Sequence, residues 1–139
     1  MPVTPHHRKR IWVLLAEDEP GILFTFSAIL RQQGYQVETA RNYAEARERM
    51  QAGKYDAVIA DLNMERIGLG LELARHAKEL TPAPAVVIYT GYPTVEQLRA
   101  ALALHIDYLA LKPVDLDEIK TALHRLVTRR ALNLEQAPV

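Results

Sequence analysis

The feature that most limits how this chain can fold is an alternation between short apolar runs and helical patterns. The runs are Ile11-Trp12-Val13-Leu14-Leu15-Ala16, Ala57-Val58-Ile59-Ala60 and Ala85-Val86-Val87-Ile88-Tyr89. Runs this short, rich in branched residues, suit strands covered on both faces of a parallel sheet. Tyr35-Gln36-Val37-Glu38-Thr39 alternates instead and suits an exposed edge strand. Ile106 to Leu111 is mixed and suits the other edge.

Helical patterns lie between the runs. Ile22, Phe26, Ile29 and Leu30 share one face, and Gly34 closes that segment as a C-terminal cap. Asn42 with Glu45 opens a second helix in the style of a capping box, and Gly53 ends it. Leu71, Ala74 and Ala77 fit a third, stopped before Pro82. Thr94 with Gln97 caps a fourth. Asp115 with Glu118 caps a fifth, with a stripe of Leu116, Ile119, Ala122, Leu123, Leu126 and Val127.

Five strands alternating with five helices predict an α/β fold, and right-handed crossovers place helices on both faces of the sheet. An alternating second strand belongs at an edge, and the apolar first, third and fourth belong inside. The order 2-1-3-4-5, the flavodoxin-like doubly wound order that serves as a general example of this class, satisfies both demands. A sheet covered twice needs a large core, and 49% apolar residues in 139 supply one. Trp12 is expected in that core or under a helix. The expected organisation is a basic tail over residues 1–9, one domain over 10–130 and a C-terminal tail over 131–139, with the run Arg129 to Leu132 able to continue the fifth helix.

The formal net charge is zero, which argues against a protein that works by gripping nucleic acid or an anionic membrane. There is no cysteine, so disulfides, thiolate metal sites and cysteine nucleophiles are excluded. The longest apolar runs fall far short of the ~20 residues that span a bilayer. A soluble, cytoplasmic protein is expected.

Strands of an open parallel sheet point the same way, and ligands bind at the rim formed by their carboxyl ends. Directly after the first run come Glu17, Asp18 and Glu19; after the third, Asp61; after the fourth, Thr90; after the fifth, Lys112. Converging carboxylates stay ionised together only when a cation neutralises them. A hard site of oxygens alone suits Mg²⁺ better than Zn²⁺. Asp18 and Asp61 are the expected direct ligands, with Glu17 direct or acting through water. Asp61 beside such a metal is placed to act as a nucleophile toward phosphorus. Lys112 would pair with Asp61 and phosphoryl oxygens, and Thr90 would donate a hydrogen bond to one of them.

Leu15-Ala16-Glu17-Asp18-Glu19-Pro20, Asp61-Leu62-Asn63-Met64, Thr90-Gly91-Tyr92 and Leu111-Lys112-Pro113 together resemble the receiver domains of two-component response regulators, over roughly residues 10 to 128. The resemblance implies that Asp61 takes a phosphoryl group from a histidine kinase or phosphotransfer protein. It implies that Glu17, Asp18, Asp61 and the backbone carbonyl of Asn63 organise Mg²⁺, that Thr90 and Lys112 sense the phosphoryl group, and that the Lys112–Pro113 bond is cis. Asn63 and Tyr92 occupy places that tune phosphate lifetime in this family. The domain would catalyse only its own phosphorylation and dephosphorylation. Its downstream protein target would meet the fourth helix, fifth strand and fifth helix. A stand-alone module, monomeric or weakly dimeric, without direct nucleic-acid or membrane binding, is expected.

Three departures qualify this picture. Glu65 stands where family members usually carry proline, and Gly68-Leu69-Gly70 suggests a loop one residue longer. Leu109 takes the place of a switching aromatic, with Tyr108 one residue off and therefore on the opposite strand face. The acidic pair is Glu17-Asp18 rather than two aspartates. Two rival readings follow: a receiver-like interaction module that is never phosphorylated, and an aspartyl-phosphate phosphatase. The phosphatase needs a general acid two residues past its nucleophile, where this chain has Asn63.

Overall fold

The computed structural model describes residues 10–136. The tail expected over residues 1–9 lies outside them. Strands β1 (Trp12–Ala16), β2 (Gln36–Ala40), β3 (Ala57–Asp61), β4 (Ala85–Thr90) and β5 (Tyr108–Leu111) alternate with helices α1 (Pro20–Gln32), α2 (Tyr43–Ala52), α3 (Leu69–Lys78), α4 (Val95–Ala103) and α5 (Leu116–Gln136). The sheet is parallel with the order β2-β1-β3-β4-β5, as the strand patterns predict.

Because strand side chains alternate, each interior strand feeds two cores. Leu14, Val58, Val86 and Ile88 pack with Met50, Leu73, Ala77 and Ala101 from α2, α3 and α4. Val13, Leu15, Ile59, Val87 and Tyr89 pack with Leu23, Phe26, Leu30, Ile119 and Leu123 from α1 and α5. Burial of all five residues of β3 and all six of β4 matches their continuous apolar runs.

Local chemistry sets the helix ends. Glu19 caps α1, its carboxylate accepting from the backbone N–H groups of Gly21 and Ile22, with Pro20 beginning the helix. Gly34, at φ 96°, follows its C-cap. Asn42 accepts from Glu45 N–H, but the Glu45 carboxylate accepts from Arg41 N–H rather than from Asn42 N–H. Thr94 and Gln97 form the full reciprocal box at α4. Asp115 accepts from the N–H groups of Asp117 and Glu118 at the start of α5. That helix runs on through Gln136, and the Arg130–Asp56 ion pair of 2.8 Å ties it to the segment before β3.

Two packing expectations fail. The buried stripe of α1 is Leu23, Phe26, Ser27 and Leu30, while Ile22 is exposed. Three consecutive apolar residues, Ile22-Leu23-Phe24, leave the phase of the helix open, and the packing of Leu23, Phe26 and Leu30 against the sheet sets it. Trp12 is also exposed rather than in the core. It begins β1 at the rim far from the strand carboxyl ends, where its backbone N–H donates to Asp56.

Candidate functional site

Sheet register brings the expected residues to one rim. Ala16 pairs with Ala60, Asp61 with Tyr89, and Thr90 with Leu111, so β1, β3, β4 and β5 end side by side. Ligand oxygens of Glu17, Asp18 and Asp61 all lie within 4.8 Å of one another. Lys112 Nζ donates to Asp61 Oδ2 at 3.0 Å, and Asn63 N–H donates to Asp61 Oδ1 at 3.2 Å. Asp61 is almost fully buried, so this pair works in a medium that weakens charges less than water does. Lys112 is followed by a cis Pro113, as the resemblance implies.

Thr90 Oγ1 is buried and has no hydrogen-bond partner among the described residues. A buried hydroxyl left unpaired costs free energy, which an incoming oxygen acceptor would recover. Three carboxylates, one ammonium and one unpaired hydroxyl stand at the ends of neighbouring strands. The carboxylate oxygens fit a hard divalent cation such as Mg²⁺, and the ammonium and hydroxyl fit an anionic oxygen group.

Glu17 is the most buried of the acids, at 1% exposure. Burial pushes its carboxyl above the usual carboxylate range, against the opposing effect of its hydrogen bonds. Tyr89 O–H donates to Glu17 Oε1 at 2.6 Å, and Glu19 N–H donates to Oε2 at 3.0 Å. The Tyr89 hydroxyl is pushed far up by burial and by the Glu17 charge, so it stays protonated. Tyr89 reads in the sequence as one more apolar residue of β4. Its only warning sign is a phenol in a fully buried run, which must find an acceptor.

The β3–α3 loop shows what its departures do. Glu65 adopts φ 62°, its N–H donates to Asp18 Oδ2 at 2.9 Å, and its carboxylate turns away to accept from Tyr43 N at the start of α2. Negative charge is favourable at a helix N-terminus. A proline could neither adopt that φ nor donate that bond. Gly68-Leu69-Gly70 forms the start of α3. A Cβ on Gly70 would sit 2.3 Å from the Asp61 carbonyl oxygen, so α3 packs directly on the strand that carries Asp61. Asn63 Oδ1 accepts from Gly68 N at 2.9 Å and from Gln97 Nε2 at 3.0 Å. Leu109 packs on the α2–α4 side, whereas Tyr108 lies on the α1–α5 side and donates to Glu118 at 2.7 Å. The two residues thus face opposite ways, as alternation requires.

A five-stranded doubly wound sheet carrying an acid cluster, a hydroxyl and an ammonium at its carboxyl rim defines a class of signalling domain. The response regulator receiver domain family matches residues 13–124, and the chain belongs to it. It is 32% identical over 111 residues to the transcriptional regulatory protein GlrR of Escherichia coli (strain K12), covering 80% of this chain and 25% of that protein. It is 29% identical over 132 residues to ZraR of Klebsiella oxytoca, covering 94% of this chain and 29% of that one. The chain thus spans about a quarter of the length of these curated relatives. Among solved structures, the response regulator TrrA of Thermotoga maritima, in complex with Mg²⁺-BeF, is 28% identical, with TM-score 0.73, covering 84% of this chain and 98% of that one. A CheY-like receiver domain from Methanospirillum hungatei has TM-score 0.84 at 22% identity, covering 90% and 99%, a likeness of fold. Receiver domains act between histidine kinases and downstream targets. No helix among the described residues is long and apolar enough to cross a membrane.

Proposed function

We propose that Asp61 accepts a phosphoryl group from the phosphohistidine of a kinase or phosphotransfer protein, in a Mg²⁺-dependent reaction in the cytoplasm. The observation that carries this reading is the bond between Lys112 and Asp61 beside the Glu17–Asp18–Asp61 oxygen cluster. An Asp61 carboxylate oxygen forms the new P–O bond as the P–N bond of phosphohistidine breaks, and the imidazole leaves with the electron pair. Glu17, Asp18, Asp61 and the Asn63 carbonyl would hold Mg²⁺. When bound, the ion neutralises phosphoryl oxygens so that the carboxylate can approach phosphorus. Lys112 remains within reach of the transferred group, and Thr90 supplies the hydroxyl that completes it.

The donor has to approach Asp61 from solvent. A groove of about 580 Å³ borders Lys112 and is lined by Ile22, Phe26, Pro113 and Val114, among others. The downstream partner would meet α4, β5 and α5. Val95, Leu98 and Leu102 form an exposed apolar stripe on α4, and Leu111 is exposed on β5. Without an aromatic at 109, the signal reaches this face through other contacts. Incubation with Mg²⁺ and acetyl phosphate, followed by intact mass measurement, tests the reading. One phosphoryl adduct is expected on the wild type and none on Asp61→Asn. No adduct on the wild type would favour the unphosphorylated interaction module.

A further inference from the structure

We propose that Tyr89 is a positioning residue for the metal site: its phenol O–H fixes the Glu17 carboxylate in the orientation that Mg²⁺ requires. This rests on the Mg²⁺ reading above. Glu17 is almost fully buried, and none of the ion pairs among the described residues includes it. The nearby ammonium, Lys112, is engaged with Asp61. A buried carboxylate without a cationic partner is costly, so its orientation depends on the neutral donors it finds. It has two, one to each oxygen: Tyr89 O–H at 2.6 Å and Glu19 N–H at 3.0 Å. Two bonds to different oxygens fix both the position and the plane of the carboxylate. Each oxygen keeps a second lone pair for an ion or for water bound to it.

Tyr89 is itself held rigidly. It is fully buried, its ring packs against Phe26 with centroids 5.8 Å apart, and Lys112 Nζ lies 5.5 Å from its centroid. One side chain therefore touches a metal ligand with its hydroxyl and the phosphoryl-sensing lysine with its ring. An apolar residue would fill β4 equally well; the hydroxyl does its work on Glu17. Partners that orient a metal ligand in this way typically carry 10–100-fold in affinity.

Tyr89→Phe keeps the ring and removes only the donor. Titration calorimetry with MgCl₂ should show affinity about tenfold below wild type. Installing 4-aminophenylalanine in place of Tyr89 restores an N–H donor and should return affinity to within about twofold of wild type. A Tyr89→Phe protein that is less stable but binds Mg²⁺ as tightly as wild type would overturn the proposal, leaving the phenol a satisfied core group. Wild type that fails to bind Mg²⁺ at all would end the metal reading itself, a separate result. Should Tyr89→Phe not fold because the buried Glu17 carboxylate loses its donor, a neutral amide at position 17 removes that cause, and Glu17→Gln is compared with Glu17→Gln/Tyr89→Phe. Equal Mg²⁺ affinity of those two is expected, and a further tenfold loss in the double variant would overturn the proposal.

Discussion

Gln97 on α4 and Asn63 in the β3–α3 loop share a side-chain hydrogen bond of 3.0 Å. Gln97 also completes the α4 capping box with Thr94, and Asn63 also accepts from Gly68 N. The residue two past Asp61 is thereby joined to the first turn of α4. Gln97→Ala should cost about 1–2 kcal/mol, since it removes both half of a capping box and a part-buried bond. Combined with Asn63→Ala, the losses should fall short of additivity by about 0.5–1 kcal/mol. Urea denaturation of the two single variants and the double checks this. Strict additivity would mean that loop and helix are energetically separate.

Gly70 is pressed against the strand that carries Asp61, its hypothetical Cβ only 2.3 Å from the Asp61 carbonyl oxygen and 2.7 Å from Leu62 Cα. Both neighbours are backbone, which cannot swing aside. Gly70→Ala should destabilise by about 1–3 kcal/mol, the range for overpacking a tight contact. Helix propensity alone predicts a gain instead. Chemical denaturation therefore distinguishes the two by sign.

Glu65 should resist the family's usual proline. Glu65→Pro loses the N–H that holds Asp18 and forces φ away from 62°. The expected cost is more than about 1 kcal/mol, with weaker Mg²⁺ binding. Glu65→Gly keeps the N–H and suits the left-handed conformation, so stability within about 1 kcal/mol of wild type is expected. Thermal melts with and without MgCl₂ report both quantities.

Metal-free stability should carry the signature of Glu17. Burial raises its carboxyl above the ordinary glutamate value of 4.5. The folded state therefore binds this proton more tightly than the unfolded state, and stability falls as pH rises. The contribution is fully present below about 4.5 and is lost as pH climbs through the raised folded value. Urea denaturation in EDTA, for wild type and Glu17→Gln across acid to neutral pH, isolates it. The wild-type advantage should shrink with rising pH; growth with pH would reverse the assigned sign.

The topology was legible because each core strand is a continuous apolar run and each helix carries its own punctuation. The gathering of the candidate site was legible because Glu17, Asp18, Asp61, Thr90 and Lys112 follow those runs directly, and a parallel sheet brings strand ends to one rim. What sequence could not reveal are pairings fixed by three-dimensional proximity. Tyr89 meets Glu17 across 72 positions, and Gln97 meets Asn63 across 34. The direction of the Glu65 side chain was equally hidden, since it follows from a left-handed backbone that its residue type does not announce. Ile22 and Trp12 were misplaced because apolarity marks a residue as able to be buried, without saying which helix phase or strand end it occupies.

Everything turns on where phosphorus is captured, and site-mapped mass spectrometry reads that most directly. The protein is incubated with acetyl phosphate, with MgCl₂ or with EDTA, and any acyl phosphate is reduced with borohydride before digestion. Conversion of residue 61 to homoserine in the MgCl₂ sample, absent in EDTA, is the predicted result. Reduction at another carboxylate, or no conversion in either sample, would contradict the assignment of Asp61 as the phosphoacceptor.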